Sequence, residues 1–495
     1  MIVNTEIRDV VTPEGSMAKQ LIVSYVTPTG DITYLTYNIP HDQLYTWKYA
    51  KRSDQDAEPA MQSWDFKKVR KNYDQRGYID ASRIHEILID LANAYPSCGI
   101  IYDLNYPTTA FCDIEVEVTD DGFPDAASAR NRINTISWVV GSDAYVFGRA
   151  NLSSEQIASI QKRLDKHCEK FKTKYQFIYV YHEDEASLLT DFFQNYVYKQ
   201  SCITGWNFFG YDWPYLYNRC KKLGIDITYL SPTGTWFTHK SAQKGGTGNV
   251  VDLPKHKMFY DYMEVFAKWN VSLKPHETLK LDWVAEKALG VKKVVHSLGF
   301  QEMWKQDPEG YVFYNAVDSI LVKEIDAVLK TSTCYFGLSN LMHVEQLTAF
   351  SPVSSLHIVQ GEFQYKEGKV FPKTTNKGGG GEEGYEGAFV YDPIPGIYHN
   401  VIALDYASLY PTTMRQFNIS PDTYKGKDKT HKGTAEEITT ASGAIYERNR
   451  EGFVPKILTH FYNQRKSYKK EMKIACQEKY DLIDILERRT GSAAH

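Results

Sequence analysis

Several features that would decide the class of this protein are missing from its sequence. The seven cysteines contain no C-x-x-C pair, which argues against a zinc site or a disulfide framework and favours reduced thiols. No apolar run approaches the roughly 18 residues of a membrane span. The amino terminus also lacks the basic start and apolar run of a signal peptide, so we expect a cytoplasmic protein without membrane contact.

An excess of charge of one sign is also absent. The 57 basic and 61 acidic residues give a net charge of −4. A protein that binds nucleic acid needs a basic path rather than a basic total, and acidic metal sites lower the sum. Composition therefore neither supports nor excludes nucleic acid as a partner. The 495 residues are enough for about three domains.

The stretch at residues 111–118 (FCDIEVEV) alternates strictly and predicts a β-strand. On one face, the carboxylates of Asp113 and Glu115 stand roughly 7 Å apart. Carboxylate oxygens suit Mg²⁺ or Mn²⁺, and a pair of such ions can activate water and stabilise the leaving oxygen of a phosphodiester. A strand with a solvated acidic face gives the same pattern, and this stretch alone does not separate the two interpretations.

The rest of the chain divides into segments of different pattern. Residues 1–104 are β-rich, with strands at 21–26 and 32–39 and a helix near 81–94. Residues 105–335 alternate strands and helices, which predicts an α/β domain. Within it, a hairpin is expected at 230–261, with its tip at 244–249. Residues 336–375 are predicted to be a connecting segment that packs with the N-terminal domain.

A second acidic pattern lies in residues 204–216 (TGWNFFGYDWPYL). Asp212 precedes a helix that holds Pro214 in its first turn. Taken singly, Asp212 is more simply explained as only the N-cap of that helix, and Asn207 as an ordinary loop residue.

A third acidic pattern lies in residues 311–322 (YVFYNAVDSILV), which are expected to be helical. Tyr314 and Asp318 are i and i+4, so they share one face of the helix. For this pair alone, a partly buried tyrosine beside a surface aspartate is the simpler explanation.

Together these patterns are D-x-E on a strand, N-x-x-x-[FY]-D before a helix and Y-x-x-x-D within a helix. In this order they resemble the three motifs of the DnaQ-like 3′→5′ proofreading exonucleases. The resemblance implies carboxylates that hold two Mg²⁺ (or Mn²⁺) ions at the scissile phosphate: Asp113, Glu115, Asp212 and Asp318. It also implies that Tyr314 orients the attacking water during hydrolysis of the 3′-terminal nucleotide. Asn207 and Phe209 would lie near the single-stranded end.

The resemblance extends into the second half of the chain. Residues 405–411 (DYASLYP) resemble the first polymerase motif of the family B DNA polymerases. Residues 387–396 (GAFVYDPIPG) resemble the segment before that motif in the replicative polymerase of T-even-type bacteriophages. Residues 463–466 (NQRK) resemble the start of the fingers helix of that family. A partial palm at 376–452 and the start of a fingers helix at 453–495 are therefore expected.

The same resemblance implies roles for residues of the palm motif. Asp405 would be one of two metal-binding catalytic aspartates. Backbone amides around Ser408 and Leu409 would hold the triphosphate of a nucleotide. Tyr410 would stack under the incoming sugar and exclude a 2′-hydroxyl, with plain core packing as the alternative.

Further contacts are implied outside that motif. Arg465 and Lys469 are i and i+4 on the fingers helix and would face the triphosphate, although a solvated charged face explains them as well. Tyr385 and Gly387 would contact DNA. The expected fold is thus α/β and multidomain: a β-rich N-terminal domain, a ribonuclease-H-like 3′→5′ exonuclease domain, a partial palm and the start of the fingers.

Two later motifs of the family, K-x-x-x-N-S-x-Y-G and Y-x-D-T-D-S, do not occur in residues 412–495. The second supplies the other catalytic aspartate, so we expect that the chain alone does not polymerise. It would be either the first half of a naturally split polymerase or a truncated product.

Three functions follow from this pattern: a polymerase subunit with a working exonuclease, a stand-alone exonuclease, or a non-catalytic DNA-binding or clamp-like protein. The intact acidic set argues against the third. The expected partners are DNA, both as a single-stranded 3′ end and as primer-template, and a chain with the rest of the palm, fingers and thumb. A sliding clamp is a further candidate partner, and the host-cell cytoplasm is the expected location if the protein is viral.

Overall fold

The structure is a computed structural model of the chain. It describes residues 2–50, 57–63, 67–73, 79–94, 106–119, 122, 124–240, 249–270, 272–273, 277–291, 298–370, 391–428, 430–431 and 433–490. The chain forms two compact units, Met1–His41 with Ile89–Leu356 and Asp42–Leu88 with His357–His495. Among the described residues, no helix combines the length and the apolar composition needed to cross a membrane.

The strands and helices of the described residues are as follows. The strands are β1 (Ile2–Val11), β2 (Met17–Val26), β3 (Ile32–Ile39), β4 (Tyr45–Tyr49), β5 (Ala57–Ser63), β6 (Lys68–Tyr73), β7 (Thr109–Val116), β8 (Ile133–Val140), β9 (Asp143–Gly148), β10 (Gln176–Tyr181), β11 (Cys202–Gly205), β12 (Trp236–Lys240), β13 (Val250–Pro254), β14 (Met258–Asp261), β15 (Lys369–Val370), β16 (Tyr424–Lys427), β17 (Glu437–Thr439) and β18 (Ala444–Glu447). The α-helices are α1 (Ala81–Ala94), α2 (Ser154–His167), α3 (Glu185–Asp191), α4 (Asp212–Leu223), α5 (Tyr262–Trp269), α6 (Leu281–Leu289), α7 (Phe300–Gln306), α8 (Pro308–Leu329), α9 (Thr331–Leu341), α10 (Pro352–Lys366), α11 (Leu409–Gln416) and α12 (Phe453–Thr490).

Strand β7 lies in the middle of a six-stranded sheet with the order β10-β9-β8-β7-β11-β14. It is antiparallel to β8 and parallel to β11. Its side chains are buried on both faces, with Thr109 and Asp113 only partly so. Glu115 is 7% exposed, so the alternative of a solvated acidic face is wrong.

Helix α8 packs across β7 and β8. Pro308 occupies its first turn, where a missing N–H costs nothing, and the Asp307 carboxylate accepts from the Gly310 N–H at 2.8 Å. The helix is apolar on most sides and largely buried, which is typical of a core helix. Two of its buried polar side chains, Asn315 and Ser319, bond to residues of β7 and β8.

A buried polar cluster ties β1 and β2 to the turn before β14. The His256 ring has Nδ1 3.0 Å from Ser24 Oγ and Nε2 2.9 Å from Glu6 Oε2. The hydroxyls of Thr233 and Thr235 donate to the same Glu6 carboxylate at 2.9 and 2.8 Å. Because buried polar groups are costly unless they are hydrogen-bonded, this set fixes the N-terminal sheet within the first unit.

The protonation of His256 should affect stability. Burial lowers the pKa of His256 below its ordinary value, although the Glu6 carboxylate acts in the opposite direction. As the pH falls through about 6.5, the unfolded chain therefore gains a proton that the folded chain does not, and the folded state loses stability. We expect the free energy of unfolding to fall less between about pH 7.5 and 5.5 in His256→Gln than in the wild type. Urea unfolding at both pH values tests this, and equal losses in the two proteins would contradict it.

The described residues of the second unit form two small sheets. The first has the order β15-β5-β6-β4, and the second the order β16-β18-β17. Beside the first sheet, the Trp47 indole N–H donates to Glu86 of α1, and Arg83 Nη1 donates to Glu86 Oε2 at 2.8 Å. Burial raises the pKa of Glu86 to about 7, an effect that Arg83 opposes.

The structure differs from the sequence-based expectations at several boundaries. Residues 1–104 are divided between the two units, and the expected boundary after residue 335 falls inside α9. The supposed connecting segment includes α10. The apolar run at residues 401–405 (VIALD) is typical of a strand, but no described strand pairs with it, and Val401, Ile402 and Leu404 are 72–93% exposed. A strand whose backbone groups lack a neighbour has no ladder to hold it.

Candidate metal site and nuclease centre

Three carboxylates from two elements converge beside the central strand. Asp113 and Glu115 are alternate residues of β7, and Asp318 lies on the face of α8 that packs on that strand. One carboxylate oxygen of each lies within 4.8 Å of the others. Glu115 and Asp318 are only 7% and 5% exposed, whereas Asp113 is partly exposed. The structure thus brings together residues that stand more than 200 positions apart in the sequence.

The donor set fits a divalent cation of the Mg²⁺ type. Carboxylate oxygens are the ligands that Mg²⁺ and Mn²⁺ prefer. Negative charges held this close in a largely buried site repel one another, and a bound cation relieves that repulsion. Asp113, Glu115 and Asp318 are therefore the residues that could hold a metal.

Asp212 lies next to this cluster but points its carboxylate to the backbone of β7. Its Oδ1 accepts from the Ile114 N–H at 3.1 Å, and it is outside the group of three converging carboxylates. Burial raises the pKa of Asp212 well above its usual range, and the nearby Asp113 raises it further. Asp212 is the first residue of α4 and its side chain does not cap that helix, so the N-cap interpretation is wrong.

The turn before α4 is held by an aspartate that the sequence patterns missed. Asp261 Oδ2 accepts from the Phe209 N–H at 2.9 Å, and its Oδ1 caps α5 by accepting from the Met263 and Glu264 N–H groups. Burial raises the pKa of Asp261 to about 7. The signal was present in the sequence, because an aspartate that ends an apolar strand before a helix is a typical N-cap.

Asn207 and Phe209 lie in this turn, and the family resemblance implies that both lie near a single-stranded DNA end. Asn207 has a φ of 58° and is partly exposed at the turn. Phe209 is only 2% exposed, with its ring centroid 5.6 Å from that of His239. A ring with so little exposed surface offers no face on which a base can stack.

Tyr314 lies one helical turn before Asp318 on α8, as the i, i+4 spacing predicts. Its ring is buried and meets the ring of Phe300 edge to face, with 5.4 Å between centroids. This contact fixes the direction of the ring.

The residues of the polymerase motif lie in the second unit. Ser408 has a φ of 54° and directly precedes α11, which begins at Leu409. Asp405 and Tyr410 are exposed, as are Arg465 and Lys469 on α12. Tyr410 is therefore not packed in a core here. Tyr385 and Gly387, and the hairpin tip at 244–248, lie outside the described residues.

Two profiles of known protein families match this chain. Residues 100–268 match the profile of "DNA polymerase family B, exonuclease domain", and residues 361–489 match that of "DNA polymerase family B". The chain belongs to the family B DNA polymerases. The matched exonuclease region contains Asp113, Glu115 and Asp212, whereas Asp318 follows it on α8.

Individual family B polymerases show the same relationship. The chain is 27% identical to the DNA-directed DNA polymerase of Escherichia phage RB69 over 80% of its own length and 46% of the relative. It is 28% identical to that of Enterobacteria phage T4 over 75% of its length and 43% of the relative. A DNA polymerase of Archaeoglobus fulgidus is 27% identical over 62% of the chain and 37% of the relative. The chain thus spans less than half of the length of these relatives, and the similarity to T-even-type phage polymerases is confirmed.

Proposed function

We propose that this chain carries a metal-dependent 3′→5′ exonuclease that removes nucleotides from a DNA 3′ end. The observation that carries the proposal is the convergence of Asp113, Glu115 and Asp318 to within 4.8 Å on the central strand and its covering helix. The match to the exonuclease domain of family B polymerases supports the same reaction. We further propose that the six-stranded sheet with its flanking helices is a ribonuclease-H-like domain.

Each residue of the site has a role in this proposal. Two divalent ions, when bound, would supply an activated water and stabilise the leaving oxygen of the phosphodiester. Asp113, Glu115 and Asp318 would hold them. Asp212 would complete the set, its carboxylate kept beside β7 by the Ile114 N–H. Tyr314, fixed by Phe300, would orient the attacking water.

A stand-alone exonuclease and a non-catalytic clamp-like protein were the alternatives. A clamp-like protein has no need of three carboxylates within 4.8 Å of one another, two of them buried, since their mutual repulsion destabilises the fold. Asn207 stays a candidate contact for the single-stranded end, and so do Tyr385 and Gly387. Phe209 would act through the turn that it anchors in the core rather than by stacking.

The direction of hydrolysis tests the proposal. The full chain is incubated with Mg²⁺ and single-stranded DNA labelled at its 5′ end or, in parallel, at its 3′ end. We expect a ladder of progressively shorter products from the 5′-labelled strand and immediate release of the label as a mononucleotide from the 3′-labelled strand. An intact substrate, or internal cuts without a ladder, would contradict the proposal. A chelator should abolish the reaction.

Gly205 offers a test of how closely β11 must approach β7. A Cβ atom at Gly205 would lie 2.3 Å from the carbonyl oxygen of Cys112, which directly precedes Asp113. We expect Gly205→Ala to cost about 1–3 kcal/mol of stability through overpacking and to lower the nuclease rate roughly 100-fold through displacement of β7. Thermal unfolding and the ladder assay measure the two effects.

Gly361→Ala is the matched control for Gly205→Ala. Gly361 lies in α10, and a Cβ atom there would meet nothing within 4 Å. This change should raise stability by up to about 1 kcal/mol because alanine favours the helix. A Gly205→Ala protein with an unchanged melting temperature and rate would show that the strands adapt without moving Asp113.

A second candidate function is nucleotide addition at the polymerase motif. We propose that the first amides of α11 hold the phosphates of a nucleotide, with Asp405 as a metal ligand and Tyr410 against the sugar. The supporting observation is that Ser408, in the left-handed conformation, makes no side-chain cap, so the amides at the start of α11 remain for an anion. Arg465 and Lys469 on α12 would add positive charge.

The partners of the chain follow from this proposal. DNA would be bound as a single-stranded 3′ end and as primer-template. A second polypeptide with the remaining polymerase motifs, a sliding clamp, and action in the cytoplasm of a host cell stay predictions of the resemblance.

A further inference from the structure

Helix α8 turns a second stripe of polar side chains to the sheet, beside the stripe that holds Tyr314 and Asp318. Tyr311, Asn315 and Ser319 follow one another at i, i+4 and i+8, so they lie on one face. The Tyr311 hydroxyl donates to the Val116 carbonyl at 3.4 Å. Ser319 Oγ lies 2.6 Å from Ser137 Oγ on β8. The stripe thus lies against β7 and β8 along two turns of the helix.

The middle residue of this stripe contacts the metal site itself. Asn315 Nδ2 donates to Asp113 Oδ2 at 2.7 Å and lies 3.5 Å from the Asp113 carbonyl oxygen. The Asn315 side chain is 0% exposed. Its Oδ1 is buried and has no hydrogen-bond partner among the described residues. The NH₂ group of this buried amide bonds to a carboxylate, whereas its oxygen has no such partner among the described residues. The bond to the carboxylate is therefore the strongest interaction of the side chain.

We propose that Asn315 is a positioning residue, which fixes the Asp113 carboxylate in the orientation that binds a divalent ion. This inference rests on the proposed exonuclease site. An ionised carboxylate accepts hydrogen bonds only, so the amide must present Nδ2 rather than Oδ1 to it. The hydrogen bond in turn removes the freedom of Asp113 to rotate, and Asp113 is the most exposed of the three converging carboxylates. Groups that orient metal ligands in this way contribute to the affinity of the site.

A merely structural role for Asn315 predicts something different. If its amide served only the packing of α8 on β7, its loss would lower stability and leave metal affinity unchanged. Ser319 provides the comparison, because it lies one turn further along the same stripe, is equally buried and bonds to Ser137 rather than to a carboxylate.

The experiment measures Mn²⁺ binding to the full chain by electron paramagnetic resonance of the free ion, for wild type, Asn315→Leu and Ser319→Ala. Leucine keeps the branching of asparagine at Cγ, although its methyl groups are larger, and it removes the donor. We expect Asn315→Leu to weaken Mn²⁺ binding roughly 10- to 100-fold and Ser319→Ala to stay within about twofold of wild type. In the ladder assay, raising the Mg²⁺ concentration should restore the rate of Asn315→Leu.

The outcomes separate this inference from the proposed function. A folded Asn315→Leu protein that binds Mn²⁺ as wild type does, while Asp113→Ala does not, would overturn the role of Asn315 and leave the exonuclease site intact. A wild-type chain without Mn²⁺ binding would overturn both. Equal loss of affinity in Asn315→Leu and Ser319→Ala would mean that α8 packing alone matters, which also overturns the inference. If the Asn315→Leu protein does not unfold cooperatively, Mn²⁺ binding is measured instead for Asn315→Ser, which has a shorter side chain. Wild-type affinity in that protein would overturn the role of Asn315.

Discussion

Replacing Asp113 and Glu115 together by alanine is expected to lower the rate of 3′-terminal hydrolysis of single-stranded DNA at least roughly thousandfold. This loss corresponds to about 4 kcal/mol of transition-state stabilisation, within the range of several kcal/mol that metal ions supply. The physical reason is that Asp318 alone would remain of the three carboxylates that converge within 4.8 Å. The rate is measured from the ladder of a 5′-labelled oligonucleotide in Mg²⁺.

Glu117→Ala is the matched control for this pair. Glu117 continues the alternation of Asp113 and Glu115 beyond the end of β7, but it lies outside the converging group. If the nuclease rate depends on carboxylates within the cluster rather than on negative charge in general, removing the Glu117 carboxylate should change that rate by no more than about twofold. A double variant that still degrades DNA near the wild-type rate would refute the assignment. So would an equal loss in Glu117→Ala.

Arg219→Met is expected to destabilise the first unit by about 3–5 kcal/mol. Arg219 of α4 and Glu185 of α3 form a buried two-bond ion pair, with Nε–Oε1 at 2.8 Å and Nη2–Oε2 at 2.6 Å. Arg219 Nη1 also donates to the carbonyls of Ala129 and Arg130, and Glu185 Oε1 accepts from the Ile133 N–H. Methionine fills part of the space but leaves the Glu185 charge buried without its cation. Chemical unfolding measures the loss.

The double variant Arg219→Met, Glu185→Leu distinguishes an uncompensated charge from a plain loss of contacts. Removing both ions takes away the buried charge, so the double variant should recover much of the stability that Arg219→Met loses. Additive losses from the two single changes would contradict this explanation. Because α4 begins at Asp212, we also expect Arg219→Met to slow the nuclease reaction.

The chain positions of the acidic site could be predicted because local spacing decides them. Alternation on a strand places Asp113 and Glu115 on one face, and the i, i+4 rule places Tyr314 and Asp318 on one helix face. The resemblance to the three exonuclease motifs then implied that these faces meet. The structure has the carboxylates of Asp113, Glu115 and Asp318 together, although no local rule fixes a distance between β7 and α8.

Other features depend on tertiary packing and could not be predicted from spacing. Asp212 directs its carboxylate to the Ile114 N–H, because α4 starts beside β7 in space and not in sequence. Phe209 is aromatic and near the site, but its turn, anchored by Asp261, points the ring into the core. Asn315 stood inside a recognised motif at a position that the motif leaves unspecified, so only its contact with Asp113 reveals it.

In the second half of the chain, a local apolar pattern does not lead to a strand. Residues 401–405 have the apolar composition of a buried strand, yet in this structure their side chains are exposed and no described strand pairs with them. A strand pattern specifies a face to be covered, but it does not supply the neighbour that covers it.

The metal site is tested most directly by a crystal structure of the chain with Mn²⁺, with data collected at the manganese absorption edge. We expect an anomalous peak about 2.0–2.6 Å from carboxylate oxygens of Asp113, Glu115 and Asp318. Asn315 should still donate to Asp113 in that structure. The absence of a peak at this position, or a peak only at other carboxylates of the chain, would contradict the assignment of these residues as the metal site.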